Sequence, residues 1–578
     1  MLKRIAAYLK GYEKYAAAAP LFVIIETICQ LFIPKLMANI IAEGIEVENM
    51  AAVWKYGVMM MAVAVVATIT GACAAKMAAY AAQGLGSNLR RAEFEKIASF
   101  SFADIDRFSS SSLITRMTND VTNIQNVAMM CLRILIRAVT MLVGSVILTL
   151  MISARLALVV LIVLPVMVAG LLILMKVCMP LFEKMQQALD RLNETVQENL
   201  VAVRVVKSYV RENRERDKFK EVNDNFTSTA LRAMLRMAAM QPLMTICMAG
   251  TTVLVLYNGG RMVLGGGLDI AYLQTVVGYI MQILMSIMMV GMALIQYSRA
   301  QASTRRVFEV IDAESAIRDG AGTRLPAPQG RVEFRDVSFR YQTDGAGEDV
   351  LHHVNLDIKP GEFVAIVGGT GTGKSSLVNL IPRFYDVHGG KVLVDGLDVR
   401  DYPLDRLRNR IGMVLQSNVL FSGTIRENLL WGNENATEEE LIQAAKDAQA
   451  YDFIMSFPDG FGARLDQGGV NVSGGQKQRL CIARAMVRKP AVLILDDSTS
   501  AVDSATEGRI RESFRENLKG TTVIIIAQRI SSVQYADKIV VLDEGTVADV
   551  GTHDELMKTS KIYKEIYDSQ QEGGGGNG

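Results

Sequence analysis

EFVAIVGGTGTGKSS, residues 362–376, is the stretch from which the rest of the chain can be read. After Glu362 come five apolar, largely β-branched residues bounded by glycine, the pattern of a strand buried on both faces. Gly368, Gly369, Thr370, Gly371, Thr372, Gly373, Lys374 and Ser375 follow, and an apolar-periodic helix is expected from Ser376. In this strand–loop–helix setting the glycines let backbone N–H groups face phosphates at a helix N-terminus. Lys374 is placed to reach the β- and γ-phosphates, and the Ser375 hydroxyl to ligate Mg²⁺. A second buried strand, Val492–Asp496, ends in a carboxylate suited to the other Mg²⁺ contact.

The chain N-terminal to this region is of another kind. The whole has 578 residues, 50% hydrophobic and 21% charged, with a mean hydropathy of +0.23. A soluble chain is not normally so apolar. Six long apolar runs precede residue 300, at about 16–42, 53–82, 129–152, 156–179, 237–257 and 271–295. Each is long enough for the ~20 residues that span ~30 Å of hydrocarbon. Short links at 43–49, 153–155 and 258–269 alternate with long polar stretches at 83–128 and 180–236, which keep helical periodicity. The long stretches read as helices leaving the membrane and returning.

The long arms are rich in Lys and Arg, from Arg90 and Arg91 to Arg232 and Arg236, whereas the short links hold only Arg155 and Arg261. The positive-inside rule then puts the arms, the N-terminus and everything after the sixth run in the cytoplasm of a multi-pass cell-membrane protein. Residues 1–15 are basic and amphipathic, with no cleavage site of a signal peptide in view. The net charge of +1 gives no reason to expect nucleic acid. Six cysteines, five of them in or beside apolar runs, show no metal-ligand spacing and read as buried thiols.

Val472-Ser473-Gly474-Gly475-Gln476 narrows the reading. It resembles the LSGGQ signature of ATP-binding-cassette (ABC) proteins, and the following Lys477-Gln478-Arg479 fits as well. Tyr341 matches the family's adenine-stacking aromatic, Gln416 its Q-loop glutamine, and Ser500 to Asp503 its D-loop. Residues 102–104, 113–116 and 119–121 are similar to the first cytoplasmic arm of family exporters, and Val205 to Tyr209 to the second. The resemblance covers nearly the whole chain. It implies an all-α six-helix transmembrane domain with long cytoplasmic extensions at 1–300, a linker at 301–329, and an α/β P-loop nucleotide-binding domain at 330–572, with a flexible tail at 573–578. Two such halves would sandwich two ATP molecules, with coupling helices near 105–111 and 209–212. Each ATP would touch the phosphate loop of one half and the signature of the other. ATP and Mg²⁺ are the implied cofactors. The implied contacts are Tyr341, residues 368–376 including Ser376, Gln416 and Asp496, with Ser375, Gln416 and Asp496 around the metal.

Two positions depart from the family. Asp497 stands where a catalytic Glu is usual, and Gln528 where the His of an IAHR motif is usual. Asp is one methylene shorter, so a base built on it falls ~1.5 Å short, and misplacement on that scale can cost about 10²-fold. Gln528 offers hydrogen bonds but no titratable charge. With the phosphate loop and Tyr341 retained, binding with poor turnover is expected at this site. Ser473, Gly474, Gly475 and Gln476 would complete a competent site on a partner half, which makes a heterodimer the expected assembly and a homodimer the less expected one. The residues at 465–469, LDQGG, also depart from the family's TxVGERG loop.

Inside the membrane half, Glu26 and Gln30 share a helix face, as substrate contact or as structural pairing. Met281, Met285, Met288, Met289 and Met292 form a stripe on the sixth run, for packing or for adaptable contact with apolar cargo. The expected activity is ATP-driven export of amphipathic, drug- or lipid-like small molecules across the bilayer. A nucleotide-gated channel or regulator and an importer of metal chelates are the alternatives.

Overall fold

The computed structural model describes residues 2–320, 322, 325–341, 348–497 and 504–574. The chain forms two compact units, residues 1–97 with 113–313, and residues 98–112 with 314–578.

The first unit is helical. Four spans among the described residues are long and apolar enough to cross a bilayer: Glu13–Ile45, Met50–Ala98, Ser110–Ile152 and Ile270–Ala293. The apolar runs at 156–179 and 237–257 lie along the helices Ala154–Val201 and Met240–Leu264. The 49 residues of Met50–Ala98 and the 48 of Ala154–Val201 would each extend about 70 Å, more than twice the hydrocarbon thickness. Ala154–Val201 pairs with the returning polar helix Glu212–Ala238. Where a linker is expected from 301, the helix Ile270–Asp312 continues instead. Its polar end is tied down by Arg306 Nε to Asp120 at 2.7 Å, Arg116 to Glu309 at 2.8 Å and Arg4 to Asp312 at 2.6 Å. The link expected at 258–269 is shorter too, because Met240–Leu264 runs on to Gly265.

Among the described residues, three helix turns are widened to π geometry, Ile40–Ile45, Arg116–Asp120 and Cys131–Leu135. Such turns re-aim side chains and are frequent at functional positions. Met50–Ala98 also carries Glu93, eleven residues past the apolar run and so outside the membrane span. It is fully buried, and neither carboxylate oxygen has a hydrogen-bond partner. Burial, with Asp120 nearby, pushes its pKa up to about 7.

The second unit is built on sheets. A six-stranded sheet runs Thr546–Gly551, Lys538–Asp543, Phe363–Gly368, Thr522–Ile526, Val492–Asp496, Ile411–Val414, parallel except for the first strand. Its residues alternate between two cores. Ala365, Val367, Leu493, Leu495, Val523 and Ile525 face one; Val364, Ile366, Val492, Ile494, Ile524 and Ile526 face the other. Burial of both faces is why these strands read as continuous apolar runs. A four-stranded sheet covers one side, in the order Leu351–Ile358, Val332–Phe339, Gly389–Val394, Leu397–Asp398. The helix Lys561–Gly574 takes up the start of the expected tail, and residues 575–578 lie outside the described ones.

Candidate nucleotide-binding site

Four adjacent parallel strands end together and each delivers a polar group. Phe363–Gly368 opens into the phosphate loop, Thr522–Ile526 leads to Gln528, Val492–Asp496 to Asp496 and Asp497, and Ile411–Val414 to Gln416. The crevice outside the carboxyl ends of such strands is where open α/β sheets place their ligands.

In the loop, Gly371 and Gly373 take φ of +84° and +90°, a region that disfavours side chains. A Cβ on Gly373 would also come within 2.8 Å of Leu351 Cδ2. Lys374 Nζ donates to the Gly368 carbonyl at 3.0 Å, and burial pulls its pKa below the ordinary lysine value against the opposing fields of Asp496 and Asp497. Ser375 Oγ donates to Asp496 Oδ1 at 3.0 Å, and burial raises the Asp496 pKa although that bond resists the change. A hydroxyl and a carboxylate side by side beside a lysine, under a loop with open space at Gly371, are a donor set fitted to Mg²⁺ and a polyphosphate. Tyr341 packs edge-on against Phe339 and Tyr385, and its hydroxyl shares a 2.9 Å hydrogen bond with Ser376.

Asp497 sits at φ +47°. Gln528 Nε2 donates to its Oδ2 at 2.7 Å, and Gln416 also hydrogen-bonds the carboxylate. Burial raises its pKa while both amides oppose the shift. The two residues that depart from the family pattern therefore bond each other. The D-loop residues Ser500 to Asp503 lie outside the described residues.

The signature segment begins the helix Gly474–Val487. Ser473 caps it reciprocally with Gln476: Ser473 Oγ accepts from Gln476 N at 3.3 Å, and Ser473 N donates to Gln476 Oε1 at 2.9 Å. Ser473 and Gly474 are exposed. The first N–H groups of a helix have no intrahelical acceptor, so this turn presents donors outward. Farther along the helix, Gln478 reaches the Asp497 carbonyl at 3.4 Å.

The first expected coupling segment belongs to this same unit. Its short helix Phe102–Phe108 is capped by Ser101 and Asp104. The Phe102 ring stacks on Phe384 at 4.4 Å, and Tyr385 Oη donates to Asp106 Oδ2 at 2.7 Å. Burial, then the Asp106 bond, raises the Tyr385 pKa well above the usual phenol value. Tyr385 thus touches both Tyr341 and Asp106. Sequence reading passed over Tyr385, and only the spacing of aromatics after the phosphate-loop helix hinted at it. The second expected coupling segment, in the first unit, follows Val203–Ser208. Tyr209 and Val210 are highly exposed there, and Val210 takes φ +52°, unusual for a β-branched residue.

In the membrane helices Glu26 is paired. Its Oε1 accepts from Arg137 Nη1 at 3.2 Å and Gln30 Nε2 at 3.1 Å, while Arg137 Nη2 donates to Gln30 Oε1 at 3.0 Å. Of the methionine stripe, Met285 and Met292 are well exposed. Arg133 and Arg137 went unremarked in the sequence because they interrupt an otherwise apolar run.

The fold and site define an ABC transporter half, and the comparisons agree. The ABC transporter transmembrane region matches residues 17–288, and the ABC transporter domain matches 351–500. An uncharacterized ABC transporter ATP-binding protein of Bacillus subtilis (strain 168), YfiB, is 37% identical over 569 residues, covering 98% of each chain. YgaD of the same organism, provisionally named a multidrug export ATP-binding/permease protein, is 40% identical over 385 residues, 66% of each chain. The structure of a bacterial Atm1-family ABC exporter with ATP bound superposes with a TM-score of 0.80 at 23% identity, covering 96% of this chain and 99% of that one. The chain belongs to the ABC transporter family. It is a multi-pass cell-membrane exporter half with a cytoplasmic nucleotide-binding domain.

Proposed function

We propose that this chain is one half of a heterodimeric exporter of amphipathic small molecules, that its own ATP site holds nucleotide but hydrolyses it slowly, and that its signature segment completes the faster site on a partner half. The observation that carries the reading is the bonding of Asp497 to Gln528 at 2.7 Å, with Gln416 on the same carboxylate.

A general base must have a lone pair within hydrogen-bond reach of the water it activates. Asp497 is already one methylene short, and two amides compete with a water for its lone pairs. Nucleotide binding asks for less. Tyr341 offers a ring for the adenine, residues 368–373 offer backbone N–H groups, and Lys374 offers a cation. Ser375, Asp496 and Gln416 offer oxygens to Mg²⁺, which when bound neutralises phosphate charge. On the other edge Ser473 and the N–H groups of Gly474 and Gly475 are aimed at a phosphate held by another chain, where such donors stabilise charge developing in the transition state.

The test is single-turnover hydrolysis by the purified chain, alone and with its partner half, with bound nucleotide counted at each site. The reading expects one slowly hydrolysed ATP retained on this chain's phosphate loop. Brisk, substrate-stimulated turnover by this chain as a homodimer would defeat it.

A further inference from the structure

Leu85, Leu89 and Glu93 lie four apart on the helix Met50–Ala98 and so share one of its faces. Leu85 and Leu89 are fully buried in a core with Val121, Ile124 and Val307. One turn on, the same face carries a carboxyl instead of a third leucine. It too is fully buried, and neither of its oxygens is hydrogen-bonded. A buried carboxylate without partners is costly, so the packed arms favour its neutral form. The binding and hydrolysis of nucleotide described above make no use of it.

The charged groups around Glu93 are committed elsewhere. Arg90 faces it from its own helix, and Arg90 Nη2 donates to Gln125 Oε1 at 3.0 Å. Both end residues of the widened turn Arg116–Asp120 face it as well. Arg116 Nη1 donates to Glu309 Oε2 and to the Arg306 carbonyl, each at 2.8 Å. Asp120, itself buried, accepts from Arg306 Nε at 2.7 Å. Arg306 and Glu309 belong to the polar end of Ile270–Asp312, so that end is fastened through two groups that also face Glu93. The N-terminal segment packs on the same core through Ile5, Tyr8 and Leu9, and its Arg4 is held by Asp312. Neutral Glu93 asks nothing of these cations. Ionised Glu93 repels Asp120, and it gains partners by drawing Arg116 or Arg90 off their present acceptors or by letting water into the layer. Each route loosens the hold on residues 300–312.

We propose that Glu93 is a proton-operated latch on the polar end of the helix Ile270–Asp312: the arms close over its neutral form, and its ionisation releases that end. The chain leaves the first unit at Ala313, directly after this helix, so the latch governs how firmly the segment leading to the second unit is held. The latch goes beyond the export reading and does not depend on it. Burial keeps the Glu93 pKa at about 7, against an ordinary 4.5. Closed arms therefore hold a proton that opened arms lose, and opening gains with pH between those values and levels off above about 7. Where opening returns Glu93 fully to water, its equilibrium rises about tenfold from about pH 6 to about pH 8.5.

Hydrogen exchange of the backbone amides of residues 300–312 reads this opening, in the full chain in phosphatidylcholine vesicles without nucleotide. Each rate is divided by that of an unstructured peptide of the same sequence at the same pH. The wild type should lose protection about tenfold across that pH range, while the buried strand Val492–Asp496 stays unchanged. Glu93→Gln, which cannot ionise, should keep the low-pH protection throughout. Glu93→Leu, which extends the stripe of Leu85 and Leu89, should be equally flat, and it covers the case in which a buried amide misfolds. Protection in the wild type that does not change with pH overturns the latch. So does a pH-dependent loss that survives in either folded variant, or a parallel loss in Val492–Asp496.

Discussion

At the end of the strand Val492–Asp496 the polar groups are turned on one another: Ser375 on the buried Asp496, and the exposed Gln528 and Gln416 on the half-buried Asp497. At the start of the helix Gly474–Val487 the arrangement is different. Ser473 and Gly474 are exposed, the cap is complete, and the donors of the first turn face outward. The two edges of one cassette are thus finished for different work. The first can hold a ligand with groups that are already bonded among themselves, and the second presents a capped helix start whose first N–H groups have no intrahelical acceptor. A slow site and a helper surface follow on the reading proposed here, and each edge can be perturbed without the other.

The largest effect is expected on the outward edge. Gly475→Asp puts a carboxylate where a phosphate should sit, and steady-state ATPase of the heterodimer should fall about 10²-fold, the scale of losing an oxyanion donor. On the inward edge Lys374→Ala should weaken nucleotide retention by this chain about tenfold, read by filter binding, while turnover by the complex falls less than for Gly475→Asp. If Lys374→Ala removed turnover just as fully, the two edges would not be functionally separate.

Glu93 sharpens the comparison from the helical half, because it is a buried carboxyl without a hydrogen-bond partner, and burial outweighs the opposing charges of Arg116 and Arg90. Its folded pKa of about 7 stands above the ordinary 4.5, so the folded chain keeps a proton that the unfolded chain has lost. Between those values each rise in pH costs stability, and above about 7 the cost is complete. Glu93→Gln should therefore raise the apparent Tm by a few degrees at pH 8, with a gain that shrinks toward pH 5. A uniform shift at every pH would show that ionisation is not the cause. The smallest effect belongs to the link between nucleotide and arm. Tyr385→Phe removes the hydroxyl that reaches Asp106 but keeps the ring against Tyr341. Transport per ATP hydrolysed should drop about twofold with binding unchanged, the scale of a hydrogen bond at the weak end of the range, roughly 0.5 kcal/mol.

Much of the cassette was legible because its chemistry is local: a buried strand, a glycine loop and a helix are contiguous in 362–376. Asp497 and Gln528 stood out as departures by position alone. Their bond to each other did not, because it depends on the parallel pairing that sets Ile526 beside Asp496. Tyr385 and Asp106 are 279 positions apart, and no periodicity connects them. The membrane runs were legible from hydropathy, whereas the helix continuing to Asp312 read as linker because a cytoplasmic helix held by ion pairs has no apolar signature. Arg133 was hidden for the converse reason. Two arginines barely change the mean of an apolar window.

The most direct test sets the two edges against each other in one assay. Steady-state ATPase of the purified heterodimer is measured for Asp497→Asn and for Ser473→Ala, with nucleotide occupancy at both sites. If this chain's own site is the slow one, Asp497→Asn leaves most of the turnover in place and Ser473→Ala removes most of it, while this chain's phosphate loop stays occupied in both. Loss of turnover in Asp497→Asn as complete as in a complex whose partner lacks its catalytic carboxylate would contradict the account.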